Sequence, residues 1–374
     1  MAVKALTHLL VFCLIGTTLL LSGCDTALVN TPPEASFAVS ADSELRVGEE
    51  ILFLNQSAHA DAYLWDFGDG TTSTEARGAH VFTAPGAYTV TLEAQADGLT
   101  DEATLELEIL EAVDNRRLLF IDNTEGLMKS YSLAEDTLVA LFQLPGDCIG
   151  LVYDQTNNYL YYTDNEHGTL VRSRLSGNNQ SIMVDNLNNP QGLALDQQKN
   201  TLFLAERSLG QVLGLNVGDI ELNVLFDTAD SALFHQPVAI DFLSGTLYMT
   251  LVAEGSEAVW IGKADGTGLQ QILSFEEAGY GFGITVDGSR QQLYLDNDWG
   301  DEILSAAIDG TGVQSLATST ARSYGMDIDE QHQLLYYTEQ SGSVYELDLA
   351  TGEQRLLYQT DHELMGLIVV EWPN

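Results

Sequence analysis

Positive charge is what the chain has least of: its 374 residues hold 14 Lys and Arg against 55 Asp and Glu, a formal net charge of −41. Such a field repels phosphate backbones and anionic lipid headgroups, which excludes nucleic acid as a partner. The acids are spread along the chain. A solvated surface, with counterions screening its self-repulsion in saline water, therefore explains them before a dedicated cation site does. Cysteine is nearly missing as well. Of the three, Cys13 lies in an apolar leader and Cys24 ends it, which leaves Cys148 alone and no internal disulfide to staple the fold. Cys148 has no His at a recognisable spacing, so it reads as a small buried residue at a loop-to-strand junction and not as a nucleophile. Catalytic signatures are missing too: there is no G-x-S-x-G, H-E-x-x-H, P-loop or paired C-x-x-C. Gly279-Tyr280-Gly281-Phe282-Gly283 is Gly-rich, but it leads into a strand and not a helix, which argues against a phosphate cradle.

What is present begins with the leader. Lys4 precedes an apolar stretch, Ala5 to Ser22, with small residues at its end, the pattern of an export signal. Its last residues, Leu21-Ser22-Gly23-Cys24, resemble the lipobox of bacterial lipoproteins. That resemblance implies removal of residues 1–23, acylation of Cys24 and a durable membrane anchor. A transmembrane helix is the alternative, weakened by Thr7, His8, Thr17 and Thr18. Asp25 is similar to the inner-membrane retention signal of some Gram-negative bacteria, and residues 24–33, with Pro32-Pro33, read as a short tether. The expected location is the cell envelope, facing the periplasm or the exterior, with the choice of membrane open.

Residues 34–111 alternate apolar and polar in short runs such as Tyr88-Thr89-Val90-Thr91-Leu92, split by Gly-rich turns, which predicts a β-sandwich. The segments Trp65-Asp66-Phe67-Gly68-Asp69-Gly70 and His80-Val81-Phe82 through Pro85-Gly86-Ala87-Tyr88 resemble the PKD domain. Trp65 and Phe67 are expected in the core, and Asp66 and Asp69 in a tight turn, with calcium ligation as their alternative role. The resemblance implies a spacer or accessory binding module.

From Arg117 the chain repeats itself. Gly150-Leu151-Val152-Tyr153-Asp154 has counterparts ending at Asp196, Asp241, Asp287 and Asp329, spaced 42, 45, 46 and 42 residues apart, and a last copy at Gly366 to Val370. A repeat of that length marks propeller blades. A second element, Leu160-Tyr161-Tyr162-Thr163-Asp164, recurs in each unit, and its earliest copy, Leu119 to Asp122, precedes every copy of the first. The expected fold is therefore all-β: a sandwich, then a six-bladed propeller over residues 117–374, closed by pairing the two ends of that segment in one blade. The second element resembles the YWTD repeat of the low-density lipoprotein receptor family, with Tyr162 where that family has Trp, Leu251 replacing the acid in one copy, and Asn297 another departure. The resemblance implies that the Tyr, Thr and Asp residues pack and pair between blades.

Loops entering the inner strands and loops joining second to third strands should share one rim. They bring Phe234, His235, Tyr280, Phe282, Arg322, Tyr324 and Trp299 together with Arg207, Glu166 and His167. Aromatic and Arg side chains are the usual anchors of interfaces, so the rim is expected to bind an envelope protein or glycan. No cofactor is expected. Calcium at Asp296 and Asp298, in Asp296-Asn297-Asp298-Trp299-Gly300-Asp301-Glu302, is an alternative weakened by Gly300 standing at a ligand position. A metal-dependent propeller hydrolase of the lactonase kind is the competing reading. The residues before the inner strands, Ile149, Gln191, Gln236, Phe282, Tyr324 and Met365, make a poor metal cage and disfavour it.

Overall fold

The computed structural model describes residues 31–252, 257–275, 281–298 and 300–372, all strands and turns without a helix among the described residues. The leader, Cys24, Tyr280 and Trp299 lie outside the described residues. The chain divides into two compact units, Met1–Val113 and Asp114–Asn374.

The first unit faces a three-stranded sheet (Phe37–Val39, Glu50–Asn55, Gly78–Val81) against a four-stranded one (Thr72–Ser73, Ala62–Asp66, Gly86–Ala96, Leu99–Ile109). The facing strands bury alternate residues over their central parts, so Ile51, Phe53, Trp65, Val90 and Leu92 meet in one core, joined by Phe82 just after its strand. Trp65 keeps its indole N–H satisfied by donating to the Glu75 carbonyl at 3.0 Å.

The second unit consists of six four-stranded antiparallel sheets among its described residues. Blade one takes Arg116–Asp122, Leu127–Ser132 and Thr137–Gln143 from the start of the unit, and its inner strand, Leu364–Glu371, from the end. The inner strands of blades two to six are Cys148–Asp154, Pro190–Asp196, Pro237–Leu243, Ile284–Asp287 and Met326–Asp329. Each inner strand packs beside the next, and Leu364–Glu371 lies beside both Met326–Asp329 and Cys148–Asp154, so the ring is closed. The seam is the strand pairing expected from the sequence, with Ile368 opposite Leu119 and Val370 opposite Arg117.

Both faces of a blade are covered by neighbours, which explains the continuous apolar runs of the second strands. Tyr162 joins the cluster between blades one and two with Leu119 and Cys148, whereas Tyr161 faces the cluster between blades two and three with Leu193 and Leu204. The Thr of the repeat crosses the interface. Thr163 Oγ1 donates to the Gln191 carbonyl of the next blade at 2.9 Å and accepts from Gly150 N at 2.8 Å. The recurring Gly is steric: a Cβ on Gly150 would sit 2.3 Å from the Gln191 carbonyl oxygen, and one on Gly366 would sit 2.2 Å from that of Ile149.

One alignment read from the sequence needs correction. Asp154, Asp196, Asp287 and Asp329 each pair with the first residue of the following strand, but in blade four Leu243 holds that place, opposite Thr246. There a two-residue turn, Ser244-Gly245, with φ of 48° and 88°, replaces the longer loops of the other blades. Asp241 therefore lies two residues deeper in the channel, level with Asp327.

Candidate functional site

The end of the channel where the chain enters each inner strand is built by two loop sets. The acids that close the second strands brace these loops. Asp164 accepts from His167 N at 3.2 Å and holds its Nδ1 at 2.7 Å, while Glu339 accepts from Thr320 N at 2.7 Å. Asp122 accepts from Glu125 N at 2.9 Å and pairs with Lys129 at 2.7 Å and His362 at 2.8 Å. Asp122, Glu125 and His362 approach closely enough to suggest a metal site, but the Lys129 ammonium, 2.7 and 2.8 Å from the two carboxylates, already supplies the cation.

Two differently charged sectors form this rim. On blades one and two, Asp147 accepts from Asn123 Nδ2 at 2.6 Å and from Asn165 Nδ2 at 3.3 Å. Burial pushes its carboxyl above the usual range, and Glu363, Asp164 and Glu166 push it further. Glu363 in turn accepts from the Gln340 amide. The other sector is aromatic and cationic. The Arg322 guanidinium lies 4.8 Å from the centre of the Phe282 ring, and Phe282 packs on Tyr324 at 4.7 Å. Arg322 Nε donates to Asp298 at 2.9 Å, an interaction that holds the guanidinium pKa up. Arg207 reaches Gln236 Oε1 at 3.4 Å, and the Tyr324 hydroxyl feels Arg322, Arg207 and Glu363 together. Cation–π contact of this kind contributes about 0.5–2 kcal/mol, enough to fix the orientation of Arg322.

Of the residues expected on the rim, Arg322 and half-buried Tyr324 are brought together with Arg207, but Phe282 beneath them is core, buried with Val238 and Val252, because its ring packs inward under Tyr324; His235 is half-buried. Glu166 and His167 sit exposed on the turn beside Asp147. Phe234 does not belong there. It is fully buried between Phe226 and Trp260, at 6.3 and 5.7 Å, because its loop folds inward to fill the core between blades three and four. The calcium candidates also take other roles. Asp298 is engaged by Arg322, and Asp296 is buried, its pKa driven well up by burial against backbone hydrogen bonds from Ser323 and Phe282. Asp66 accepts from Gly68 N at 2.9 Å, and Asp69 accepts from Thr71 and pairs with His80 at 2.7 Å, so both serve the turn. Cys148 is buried and its thiol pKa is pushed up, as expected of a core residue.

Asp147, Glu363, Asn123, Asn165 and Gln340 were missed. A signal existed for three of them: Asn123, Asn165 and Gln340 each directly follow the acid that ends the second strand.

Residues 30–109 match the PKD domain family, and residues 158–197 match the low-density lipoprotein receptor repeat class B. Among curated proteins, the microbial collagenase of Vibrio alginolyticus is 36% identical over 85 residues, 21% of this chain and 10% of that one. The pre-pro-metalloprotease PrtV of Vibrio cholerae is 33% identical over 91 residues, 22% of this chain and 9% of that one. The chain thus spans about a tenth of the length of these relatives. Among solved structures, a chain of the nidogen/laminin complex has a TM-score of 0.61 at 22% identity, covering 68% of this chain and 98% of that one. TolB from Acinetobacter baumannii has a TM-score of 0.55 at 8% identity, covering 77% of this chain and 80% of that one. The likeness to both is one of fold. The chain carries a PKD domain and a β-propeller with a repeat of the low-density lipoprotein receptor class B type at residues 158–197.

Proposed function

We propose that the chain is a lipid-anchored binding protein of the cell envelope whose propeller rim engages a protein partner. The PKD domain serves as spacer or accessory binding module. The observation that carries this reading is Arg322 and Tyr324, braced from below by buried Phe282, with Arg207 beside them and the acidic groups Asp147 and Glu363 on the same rim. Arg and aromatic side chains on a rigid scaffold are what interface hot spots are made of, and the paired sectors give a partner a fixed orientation. A similar propeller occurs in the nidogen/laminin complex, which favours a protein over a glycan as the ligand. Anchoring through Cys24 would hold the chain at the membrane.

The test is capture from native envelopes with wild type and an Arg207→Ala/Arg322→Ala/Tyr324→Ala variant, each checked for folding. The expected result is one partner retained by wild type and weakened at least tenfold in the variant. Equal capture by both contradicts the assignment of the rim, and release of the captured material by a glycosidase transfers it to a glycan. Replacement of Cys24 by Ser should move the chain from the membrane to the soluble fraction; unchanged membrane association would rule out the lipid anchor.

A further inference from the structure

The opposite end of the channel opens into a cavity of about 440 Å3, whose lining includes Val152, Ala194 and Ile368 from the inner strands and Gln155, Gln197 and Glu330 from the loops that follow them. Volumes of this order suit small molecules. Asp241 and Asp327 line it from within the channel. At their level of the ring the other blades place Val152, Ala194, Thr285 and Ile368, so the fold itself needs no acid there. Both carboxylates are held rigidly. Asp241 accepts from Phe242 N at 2.7 Å, Val286 N at 2.8 Å and Thr285 Oγ1 at 3.1 Å, and Asp327 accepts from Ile328 N and Val369 N, each at 2.8 Å. Neither has a cationic partner among these contacts. Arg116, at the cavity wall, is committed to Asp114 at 2.9 Å and to Asp329 at 2.6 Å.

We infer that this cavity is a second binding site, independent of the rim, for a small organic ammonium ion seated on Asp241 and Asp327 with its hydrocarbon part against Val152, Ala194 and Ile368. A carboxylate offers about four acceptor positions, so after the bonds above roughly three remain on the two acids together, the number of donors an ammonium group carries. A bare divalent ion needs six or more oxygens and no apolar wall, so it fits worse. Glu330 and Glu371 at the cavity edge add attraction for a cation.

Proton linkage follows. Burial raises Asp241 to about 6, with the Glu330 charge adding, and Asp327 to about 7, with the charges of Asp241 and Asp329 adding, and the cation binds the ionised pair. The other charged groups lining the cavity are Arg116, Asp329, Glu330 and Glu371. Arg116 stays charged throughout, and Asp329, its pKa lowered by Arg116 and His332, is ionised across the same window.

The experiment is calorimetric titration of the full chain with butylammonium, using 1-butanol as the neutral analogue. At pH 8 butylammonium should bind saturably and 1-butanol should not. Near pH 6.5 binding should release protons, read from heats that change with the buffer's ionisation enthalpy, and affinity should weaken at least tenfold by pH 5. An Asp241→Asn/Asp327→Asn variant should lose binding at least tenfold, while Arg322→Ala on the rim should bind as wild type does. Absence of saturable heat at pH 8, or affinity unchanged at pH 5, overturns the inference. Both outcomes are read on wild type alone and stand even if the Asn variant fails to fold.

Discussion

Single residues divide by whether their side chains fill an interface or face an opening. Phe234 and Phe282 illustrate the difficulty for sequence reading: they stand in loops entering inner strands, as Tyr324 does, yet they are core. Pattern could not separate them, because the loop before blade four is long enough to fold back on Phe226 and Trp260. Phe234→Ala should destabilise the propeller by about 3–5 kcal/mol in denaturant unfolding, with no selective effect on partner binding. Asp241 and Asp327 set a second residue-scale expectation. Each binds its proton more tightly folded than unfolded, so their destabilising effect is absent below about pH 4 and grows as pH rises through 6 and 7. Asp122, Asp287 and Asp329 have lowered pKa values, and their contribution is lost only as pH falls below about 4. Stability should therefore fall by on the order of 4 kcal/mol from pH 5 to pH 8. Unfolding midpoints of Asp241→Asn/Asp327→Asn should show a flatter profile over that range, and a profile as steep as that of wild type would contradict the assignment.

Elements were the most legible level. Alternation in the sandwich and the acid-terminated second strands were readable because periodicity depends only on local sequence. Closure was readable from the order of repeat parts: the segment around Leu119 to Asp122 lacked an inner strand, and Gly366 to Val370 supplied it. What misled was blade four, where a Ser244-Gly245 turn shortens the hairpin and an acid-based alignment places Asp241 two positions off. The channel site was hidden for that reason, since its two acids came from different positions of the apparent repeat. Deletion of Leu364–Glu371 should remove the inner strand of blade one and leave two blade interfaces open. Circular dichroism should then show no cooperative thermal transition for the propeller, whereas deletion of an external loop should leave one.

The whole molecule carries a net charge of −41, and that self-repulsion acts on both units. Raising NaCl from about 50 to 500 mM shortens the screening length from over 10 Å to under 5 Å. The melting midpoint should rise by a few degrees, corresponding to about 1 kcal/mol for a domain of this size. A midpoint that falls with salt would mean that ion pairs such as Lys129–Asp122 outweigh the repulsion. Recognition at one face of the ring is the central claim at this scale, and it is tested most directly by site-specific photo-crosslinking in intact envelopes. A photoreactive residue at Arg207 or His235 on the rim is compared with one at Leu222 on the outer strand of blade three and one at Gln197 at the opposite channel mouth. The account predicts one discrete protein adduct from the rim positions and none from Leu222 or Gln197. A discrete adduct at Leu222 or Gln197 with none at the rim would contradict it.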